Sequence, residues 1–363
     1  MSDRVVLHTE ASLGLGGQEI RILSEVRWLL DHGWSAFIAC APQSRLLAEA
    51  TAARLPVVPV AMPSAVSLRA VLMLRRLMRA RRVSVVHTHS SVDSWLGAIA
   101  ARSLGLPVVR SRHVSIPILR RRALVYRLAD RIITSGDGVK AIVRAAGVPD
   151  DRIVAISAGL DPERFHAGVS GAGVRAEFGL AGPLVGLVAN IRGSKGHRFF
   201  LDAAVSVRRA LPATRFMIVG DGVGFDDVQR RVRELELQDT VIMTGFRRDI
   251  PQVLAALDVL VLPSIRSEAT PQVIPQALAV GTPVVATAVG GIPEIVRDGV
   301  TGRLVAPADA DALARAILDL LRDRPRARAL AAAGAALVRE RFTAATTMAA
   351  TTAVYEELLA AHG

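Results

Sequence analysis

The sequence predicts an α/β protein made of two doubly wound, Rossmann-like domains. Short apolar runs alternate with segments whose apolar residues recur at helical spacing, which is typical of strand–turn–helix units around a parallel sheet. A length of 363 residues is enough for two such domains, each with its own core. Gly, Ala and Pro gather between residues 158 and 183, where the pattern weakens. We therefore predict domains at residues 1–164 and 165–343.

The first domain opens with a predicted strand over residues 3–10 and an amphipathic helix over residues 20–33. Gly16 and Gly17 lie in the turn between them. A turn without side chains lets a ligand approach its backbone N–H groups, so these glycines are candidate ligand contacts. A plain connector between strand and helix is the alternative.

Histidines follow two later strands of this half. His87 and His89 lie in VVHTHSS, and His113 follows VVRSR, at positions where the ligand-facing loops of an open sheet are found. We expect His87 to lie within its strand and His89 to face the ligand. A pair of histidines two residues apart can bind a metal ion, but we expect no third ligand of suitable type nearby and hence no metal.

The second half begins with a predicted strand that leads into a turn carrying Arg192, Lys195 and Gly196, followed by a helix. Fixed cations at such a turn stabilise negative charge that builds on a leaving group. An ordinary solvated pair of charges is the alternative.

Two further strands of this half end in glycine turns. One runs into Gly220-Asp221-Gly222, whose spacing differs from the dinucleotide-binding pattern G-x-G-x-x-G. The other ends at Gly245 and is followed by Arg247 and Arg248.

The segment from Pro263 to Gly302 is the most informative part of the chain. A buried strand ends in a polar turn that contains Glu268, a helix runs from Gln272 to Val280, and a new strand begins at Val284. A carboxylate at a strand-to-helix turn lies where an α/β sheet binds its ligand, and a helix cap that contains Glu is the alternative.

This order of segments resembles the C-terminal half of the retaining GT-B glycosyltransferases of family 4, which transfer a sugar from a nucleotide diphosphate donor. Their pattern is a serine and a glutamate, seven residues, a second glutamate, a GxPVVAT strand and a GGxPEIV turn. The chain matches that pattern at Ser267, Glu268, Gly281, Pro283, Gly290, Gly291, Pro293 and Glu294. Gln276 stands where the second glutamate is usual. The resemblance implies the GT-B fold, two domains facing across a cleft, with a C-terminal helix over residues 344–361 that crosses back to the first domain.

The resemblance also implies roles for individual residues. Glu268 would accept hydrogen bonds from hydroxyls of the donor sugar, and Arg192 and Lys195 would hold the diphosphate. Gln276 would contact the ribose as a neutral amide. The other implied donor contacts are Gly16, Gly17, Gly222, Arg247, Thr270, Pro271 and Gln272, with Arg247 near the base. His113 would reach the donor sugar, so the predicted catalytic residues are His113, Arg192, Lys195 and Glu268. Such enzymes use the nucleotide sugar as a substrate and need no cofactor or bound metal.

Composition and charge limit the location and the partners. The chain has no apolar run of transmembrane length and starts with a charged strand, so we expect a soluble, cytoplasmic protein. Cys40 is the only cysteine, which excludes an intrachain disulfide. Much of the net charge of +12 lies in residues 68–83 and 110–131. In an acceptor domain this suggests peripheral contact with an anionic membrane or an acidic glycolipid, and a solvated helix face is the alternative. Aromatic residues make up 4% of the chain, which argues against nucleic acid.

We therefore predict a retaining glycosyltransferase that moves a hexose-type sugar from a nucleotide sugar to a glycan or glycolipid acceptor, in the synthesis of bacterial polysaccharide or lipopolysaccharide. Two alternatives stay open at this stage. One is a nucleotide-sugar epimerase of the same architecture, and the other is a non-catalytic partner in glycan assembly. Gln276 is the feature that favours the second alternative.

Overall fold

The computed structural model describes residues 4–266 and 268–362, except for the side chains of residues 120–122. The chain divides into two compact units. One unit contains the described residues up to Gly159 together with those from Ala344 onward, and the other is Leu160–Thr343. The division comes before the predicted boundary at residue 164, because Leu160 pairs with the far end of the second unit. Its N–H donates to the Phe342 carbonyl at 2.7 Å.

The first unit is built on a seven-stranded parallel sheet with the strand order β3-β2-β1-β4-β5-β6-β7. Its strands are β1 (Val5–Glu10), β2 (Ser35–Cys40), β3 (Val57–Pro59), β4 (Val85–Thr88), β5 (Val108–Arg112), β6 (Arg131–Thr134) and β7 (Ile153–Ala155). Its first five helices are α1 (Gly17–Asp31), α2 (Arg45–Ala52), α3 (Leu68–Ala80), α4 (Ser91–Arg102) and α5 (Asp137–Ala145). Shorter 3₁₀ turns lie at Arg120–Leu128 and Asp150–Arg152.

The second unit is built on a six-stranded parallel sheet with the strand order β10-β9-β8-β11-β12-β13. Its strands are β8 (Leu184–Val188), β9 (Arg215–Val219), β10 (Val241–Gly245), β11 (Val259–Leu262), β12 (Val284–Thr287) and β13 (Arg303–Val305). Its helices are α6 (Ala172–Glu177), α7 (His197–Ala210), α8 (Phe225–Glu234), α9 (Ile250–Ala256), α10 (Val273–Ala279), α11 (Ala310–Arg322) and α12 (Arg324–Arg341). Short 3₁₀ turns lie at Gly193–Lys195 and Ile292–Glu294.

Both sheets are covered by helices on both faces, which explains why their strands read as continuous apolar runs. In the first unit, α3 and α4 pack on one face through Leu74, Met78 and Leu96. The other face carries α1, α2 and the last helix, α13 (Ala344–His362), which packs through Met348, Tyr355 and Leu358. The predicted C-terminal helix therefore belongs to the first unit.

Side-chain caps fix where several helices begin. Ser67 accepts a hydrogen bond from Ala70 N at the start of α3, and Asp309 does the same from Ala312 N at the start of α11. Such caps satisfy backbone N–H groups that the first turn leaves unpaired. Helix α1 begins at Gly17, earlier than predicted, because Gly16 serves as its N-cap.

The strand orders locate a ligand edge in each unit. The direction of winding reverses between β1 and β4 in the first sheet and between β8 and β11 in the second. In a doubly wound sheet, the loops at the carboxyl ends of these strands diverge and leave a crevice that binds ligands. The loops after β1, β4, β8 and β11 carry most of the residues singled out in the sequence.

Candidate active site

Lys195 and Glu268 form a buried ion pair at the ligand edge of the second unit. Lys195 lies in the loop after β8 and Glu268 in the loop after β11, and Lys195 Nζ donates to Glu268 Oε1 at 2.6 Å. Their side chains are 13% and 6% exposed. Ser264 Oγ donates to the same carboxylate oxygen. The structure thus brings together a predicted diphosphate contact and the predicted sugar contact.

Glycines allow these loops to pack closely against each other. A Cβ at Gly290 would overlap the carbonyl oxygen of Glu268, and one at Gly291 would overlap that of Ala269. Gly196 has φ +72°, and a Cβ there would overlap the Pro263 carbonyl. Glycine at positions 290, 291 and 196 therefore lets neighbouring backbone segments pack closely against the segments that carry Glu268 and Lys195.

The turn with Gly220 and Gly222 supports the Arg192 loop. Both glycines have φ values that L side chains rarely adopt, +138° and +150°, and Cβ atoms there would overlap Ala189 O and Ile191 O. Ile191 N donates to the Asp221 carbonyl at 2.8 Å. Packing beneath the loop after β8 thus explains why glycine is needed at Gly222, where the sequence predicted a donor contact.

Most of the other predicted donor contacts of this unit lie in the same two loops or in α10. Arg192 is exposed at the start of the loop, and Thr270, Pro271 and Gln272 are half-buried between β11 and α10. Gln276 is half-buried in α10. Ser267, which belongs to the matched family pattern, lies outside the described residues.

Arg247 is held by carboxylates of its own unit. Its guanidinium donates to both carboxylate oxygens of Glu177, at 2.7 and 2.8 Å, and to both of Asp249, at 2.9 and 2.7 Å. The hydrogen bonds that Arg247 donates to Glu177, and then those to Asp249, raise the pKa of Arg247. These bonds use four of the five N–H donors of the guanidinium, and the contact of Arg247 with a base stays a prediction. The neighbouring Phe246, at the end of β10, is 62% exposed.

The first unit gathers histidines at its own ligand edge. His113 directly follows β5 and is half-buried, and its Nε2 lies 3.2 Å from Nδ1 of His89. His89 is 3% exposed, and its Nε2 lies 3.0 Å from Nδ1 of His8 in β1. His87 lies within β4 as predicted, with Nδ1 2.6 Å from Tyr355 Oη and Nε2 2.8 Å from Ser111 Oγ. The expectation that His89 faces the ligand is wrong, since the side chain is buried between two other imidazoles.

The expectation that no third ligand lies near the histidine pair is also wrong. Ligand atoms of His8, Glu25, His87 and His89 all lie within 4.8 Å of one another. Glu25 is paired with Arg21, whose Nε donates to Oε1 at 2.6 Å. The histidine nitrogens bond mainly to each other and to hydroxyls, and the absence of a metal stays a prediction.

Burial keeps these imidazoles neutral. It lowers the pKa of His8 to about 4, with the Glu25 carboxylate opposing and the Arg21 guanidinium adding to the shift. Burial likewise lowers the pKa values of His87, His89 and His113 well below the usual range, and Arg21 adds to each shift. Each neutral ring therefore has one N–H donor and one lone pair.

Two carboxylates hold the loop between β1 and α1, which contains Gly16 and ends where Gly17 begins the helix. Glu10 accepts hydrogen bonds from Ser12 N, at 2.7 Å, and from Gln18 Nε2. Glu19 accepts from Gly16 N, at 2.7 Å, and from Ser12 Oγ. Burial, reinforced by the nearby Asp93 carboxylate, raises the pKa of Glu10 to about 8. A Cβ at Gly17 would meet open space, so no protein contact demands glycine there.

Sequence reasoning missed His8, Glu10, Glu19, Glu25 and Ser264. His8 and Glu10 lie in a strand that is buried on both faces, and polar residues at such positions need partners. That signal was available in the sequence, whereas the identity of the partners required the strand order.

Two family models match the chain, one over most of each unit. The model for Glycosyltransferase Family 4 matches residues 15–164, and the model for Glycosyl transferases group 1 matches residues 182–323. The lipopolysaccharide core biosynthesis mannosyltransferase LpsB of Rhizobium meliloti is 30% identical over 338 residues, which cover 90% of this chain and 93% of that protein. The chain belongs to the family 4 glycosyltransferases.

This glycosyltransferase is also 30% identical to the 2-deoxystreptamine glucosyltransferase of Streptomyces kanamyceticus over 275 residues, which cover 68% of this chain and 70% of that protein. Among solved structures, HepE of Anabaena in complex with UDP and glucose has a TM-score of 0.87 at 23% identity, covering 98% of this chain and 100% of that chain. The likeness extends over both units and confirms the predicted fold class.

The comparisons also confirm the prediction of a glycosyltransferase that uses a nucleotide sugar. No helix in the described part of the chain is long and apolar enough to cross a lipid bilayer.

Proposed function

We propose that this glycosyltransferase moves a hexose from a nucleoside diphosphate donor to a glycan or glycolipid of the bacterial surface, with retention of the anomeric configuration. The observation that carries the proposal is the Lys195–Glu268 pair beside the winding reversal of the second sheet. The name of the mannosyltransferase LpsB supports a lipopolysaccharide acceptor, and the UDP and glucose bound to HepE support a uridine nucleotide donor.

The second unit supplies the donor contacts. In a nucleotide sugar, the diphosphate and the first hydroxyls of the sugar lie a few bonds apart, which fits a cation and a carboxylate that touch each other. Lys195 and the exposed Arg192 bind the diphosphate, and Glu268 accepts from sugar hydroxyls. Oε1 of Glu268 already accepts hydrogen bonds from Lys195 Nζ and Ser264 Oγ, so Oε2 is the oxygen that we assign to the sugar hydroxyls.

The reaction breaks the bond between the anomeric carbon and the diphosphate oxygen and forms a bond to the acceptor oxygen on the same face. The proton of the acceptor hydroxyl passes to the departing phosphate. Negative charge grows on the diphosphate as the bond breaks, so Lys195 and Arg192 stabilise the transition state more than the bound donor. The resemblance to retaining enzymes of this family supports this stereochemistry. We propose that the reaction needs no cofactor or resident metal.

The first unit binds the acceptor and supplies His113 to the transferred sugar. Its helix α3 exposes aliphatic and basic side chains together: Leu68, Leu72 and Met73 are 70%, 44% and 37% exposed, beside the exposed Arg69, Arg76 and Arg79. Helices of this kind bind the interface of anionic membranes. The proposal therefore places the enzyme in the cytoplasm, in peripheral contact with the membrane that carries its acceptor.

A vesicle test addresses that contact. Wild type should sediment with vesicles that contain phosphatidylglycerol and remain in solution with phosphatidylcholine alone. Replacing Arg69, Arg76 and Arg79 by glutamine should abolish sedimentation, while the control Arg208→Gln and Arg209→Gln on α7 should not. Equal sedimentation of all three proteins would contradict the membrane proposal and leave the donor proposal intact.

The reaction itself is tested in two steps. A thermal-shift screen of UDP-, GDP- and ADP-hexoses identifies the donor, and product analysis follows with that donor alone and with lipopolysaccharide core oligosaccharide. An epimerase would convert the donor without an acceptor, whereas the proposal predicts a new glycosidic bond only when acceptor is present. NMR of the anomeric proton then shows retention or inversion, and inversion would overturn the proposed stereochemistry.

A further inference from the structure

A continuous series of hydrogen bonds joins three imidazoles of the first unit. His8 Nδ1 lies 3.0 Å from His89 Nε2, and His89 Nδ1 lies 3.2 Å from His113 Nε2. The ring planes of His8 and His89 are inclined by 15° with centroids 5.2 Å apart, and those of His89 and His113 by 19° with centroids 5.5 Å apart. The series runs from a fully buried residue in β1 to a half-buried residue at the end of β5.

The surroundings of His8, the most buried of the three residues, decide which nitrogen donates in each hydrogen bond of the series. His8 Nε2 is buried and has no hydrogen-bond partner among the described residues. If His8 carried its proton on Nε2, a buried N–H donor would be unpaired, which is rarer in proteins than an unpaired acceptor. His8 therefore carries its proton on Nδ1 and donates to His89 Nε2. Since His89 is neutral, its own proton is on Nδ1, where it donates to His113 Nε2.

The outer end of the series then follows. The only lone pair of neutral His113 is on Nε2 and accepts from His89, so its proton is on Nδ1. Nδ1 is the nitrogen left for a ligand. A neutral imidazole in this state offers a hydrogen-bond donor and no base.

The surroundings hold the series in place without entering it. His87 packs beside it, with its ring centroid 4.3 Å from that of His89, and is itself bonded to Tyr355 and Ser111. The charged groups that face the cluster are Arg21 and Glu25 on α1 and Arg112 on β5. Arg21 pairs with Oε1 of Glu25, and Oε2 of Glu25 lies 3.9 Å from His8 Nδ1, beyond hydrogen-bond distance.

We propose that His8 and His89 are positioning residues that hold the proton of His113 on Nδ1, so that His113 faces the transferred sugar as a hydrogen-bond donor and not as a base. The contact with the sugar rests on the proposed function, whereas the position of the proton does not. The inference accounts for the proton of the acceptor, which must pass to the departing phosphate because His113 has no free lone pair to receive it.

The position of the proton is measured directly by NMR of the full-length protein with ¹⁵N-labelled histidine. Cross-peaks between ring nitrogens and carbon-bound protons distinguish the two neutral tautomers, and loss of a signal in a His113→Asn variant assigns it. We expect wild-type His113 to carry its proton on Nδ1. A proton on Nε2 would overturn the proposal, as would a stoichiometric metal ion in the purified protein, since it would occupy the same nitrogens.

Matched variants test the positioning role. The side-chain amide of His8→Asn can donate from the place of Nδ1, whereas His8→Leu cannot donate. We expect His8→Leu to show both tautomers of His113 and a roughly tenfold lower kcat, with His8→Asn within about twofold of wild type. A single Nδ1–H tautomer in His8→Leu, or equal kinetics of the two variants, would mean that His8 does not position His113.

Variants of His113 test its use as a donor. His113→Asn keeps an N–H near the place of Nδ1, and His113→Gln moves the amide toward the place of Nε2. We expect His113→Asn to retain at least tenfold more activity than His113→Gln, and the reverse order would overturn the donor role. The NMR result needs no turnover, so failure of the proposed transfer reaction is distinguishable from failure of this inference.

Discussion

In the second unit, the loops after β8 and β11 hold a cation and a carboxylate in contact. In the first unit, β1 and the residues that follow β4 and β5 hold neutral imidazoles, and hydrogen-bonded carboxylates lie at the end of β1 and in the first turn of α1. The winding reversal lies between β8 and β11 in the second sheet and between β1 and β4 in the first. The same topology therefore provides a crevice in each unit, and the side chains decide its chemistry. Fixed charge suits a diphosphate, and uncharged hydrogen-bonding groups suit sugar hydroxyls.

The largest effect should come from breaking the charged pair of the second unit. Lys195→Ala should lower kcat/KM by about 10²- to 10³-fold, because a fixed cation no longer stabilises the charge on the leaving diphosphate. The matched control is Lys140→Ala, which removes the only other lysine of the chain, held 3.2 Å from Asp150 at the surface of the first unit.

Steady-state kinetics with the identified donor gives the kcat/KM of Lys195→Ala and of Lys140→Ala, and thermal unfolding checks that each variant folds. Glu268→Gln should keep the shape but lose the charge, and we expect a loss of similar size. Wild-type kcat/KM in Lys195→Ala would show that the cation has no part in turnover.

The buried histidines of the first unit should make the stability of the protein depend on pH. Because the pKa of folded His8 is about 4 and its ordinary value is 6.5, the unfolded chain binds more protons between these values. Stability therefore falls as pH falls through this window, by up to about 3 kcal/mol for His8 alone. Denaturant unfolding of wild type and His8→Asn at pH 7 and pH 5 measures the difference.

Glu10 changes the stability in the opposite direction to His8. Because its pKa is raised to about 8 in the folded protein, the folded state binds more protons than the unfolded chain, and stability rises as pH falls through that value. That contribution is common to wild type and His8→Asn, so it cancels in their difference, which reports His8 together with its effect on the neighbouring His87 and His89. The same slope of stability against pH in both proteins would show that His8 is not a buried neutral imidazole.

Replacing glycine by alanine should have different effects at Gly290, which packs against the backbone of Glu268, and at Gly17, where a Cβ would meet open space. Gly290→Ala should destabilise the protein by about 2 kcal/mol or more, because φ is +56° and the new Cβ meets the Glu268 carbonyl. Gly17→Ala should leave stability unchanged or slightly raised, because its Cβ meets open space at the start of α1. Thermal unfolding measures both, and similar losses in the two variants would remove the distinction.

The smallest effect should come from restoring a charge in the second unit. Gln276→Glu provides the carboxylate usual in the family, and an ionised carboxylate accepts hydrogen bonds from both ribose hydroxyls more strongly than an amide. We expect the Kd of the donor to fall by about tenfold or less, which calorimetry measures. Weaker binding in the variant would place Gln276 away from the ribose.

Local patterns in the sequence were enough to predict most strands of the second unit. The apolar runs located the strands that end before Arg192 and Glu268. The domain boundary was displaced because the pairing of Leu160 with Phe342 joins residues far apart in the chain.

The interior of the first unit could not be predicted in the same way. His8, His89 and His113 meet because β4 lies between β1 and β5 in the sheet, and no local pattern states that order. The partner of Arg247 could not be predicted for the same reason, because Glu177 lies in α6, 70 residues earlier in the chain. A polar residue in a buried strand signals that a partner exists, but only the fold identifies it.

The most direct test of the central claim is calorimetric titration of wild type, Lys195→Ala and Lys140→Ala with UDP and with UDP-glucose. We expect wild type and Lys140→Ala to bind at least one of these ligands with similar Kd, and Lys195→Ala to bind it at least tenfold more weakly. Equal binding by all three proteins would contradict the assignment of the diphosphate to the Lys195–Glu268 edge of the second unit.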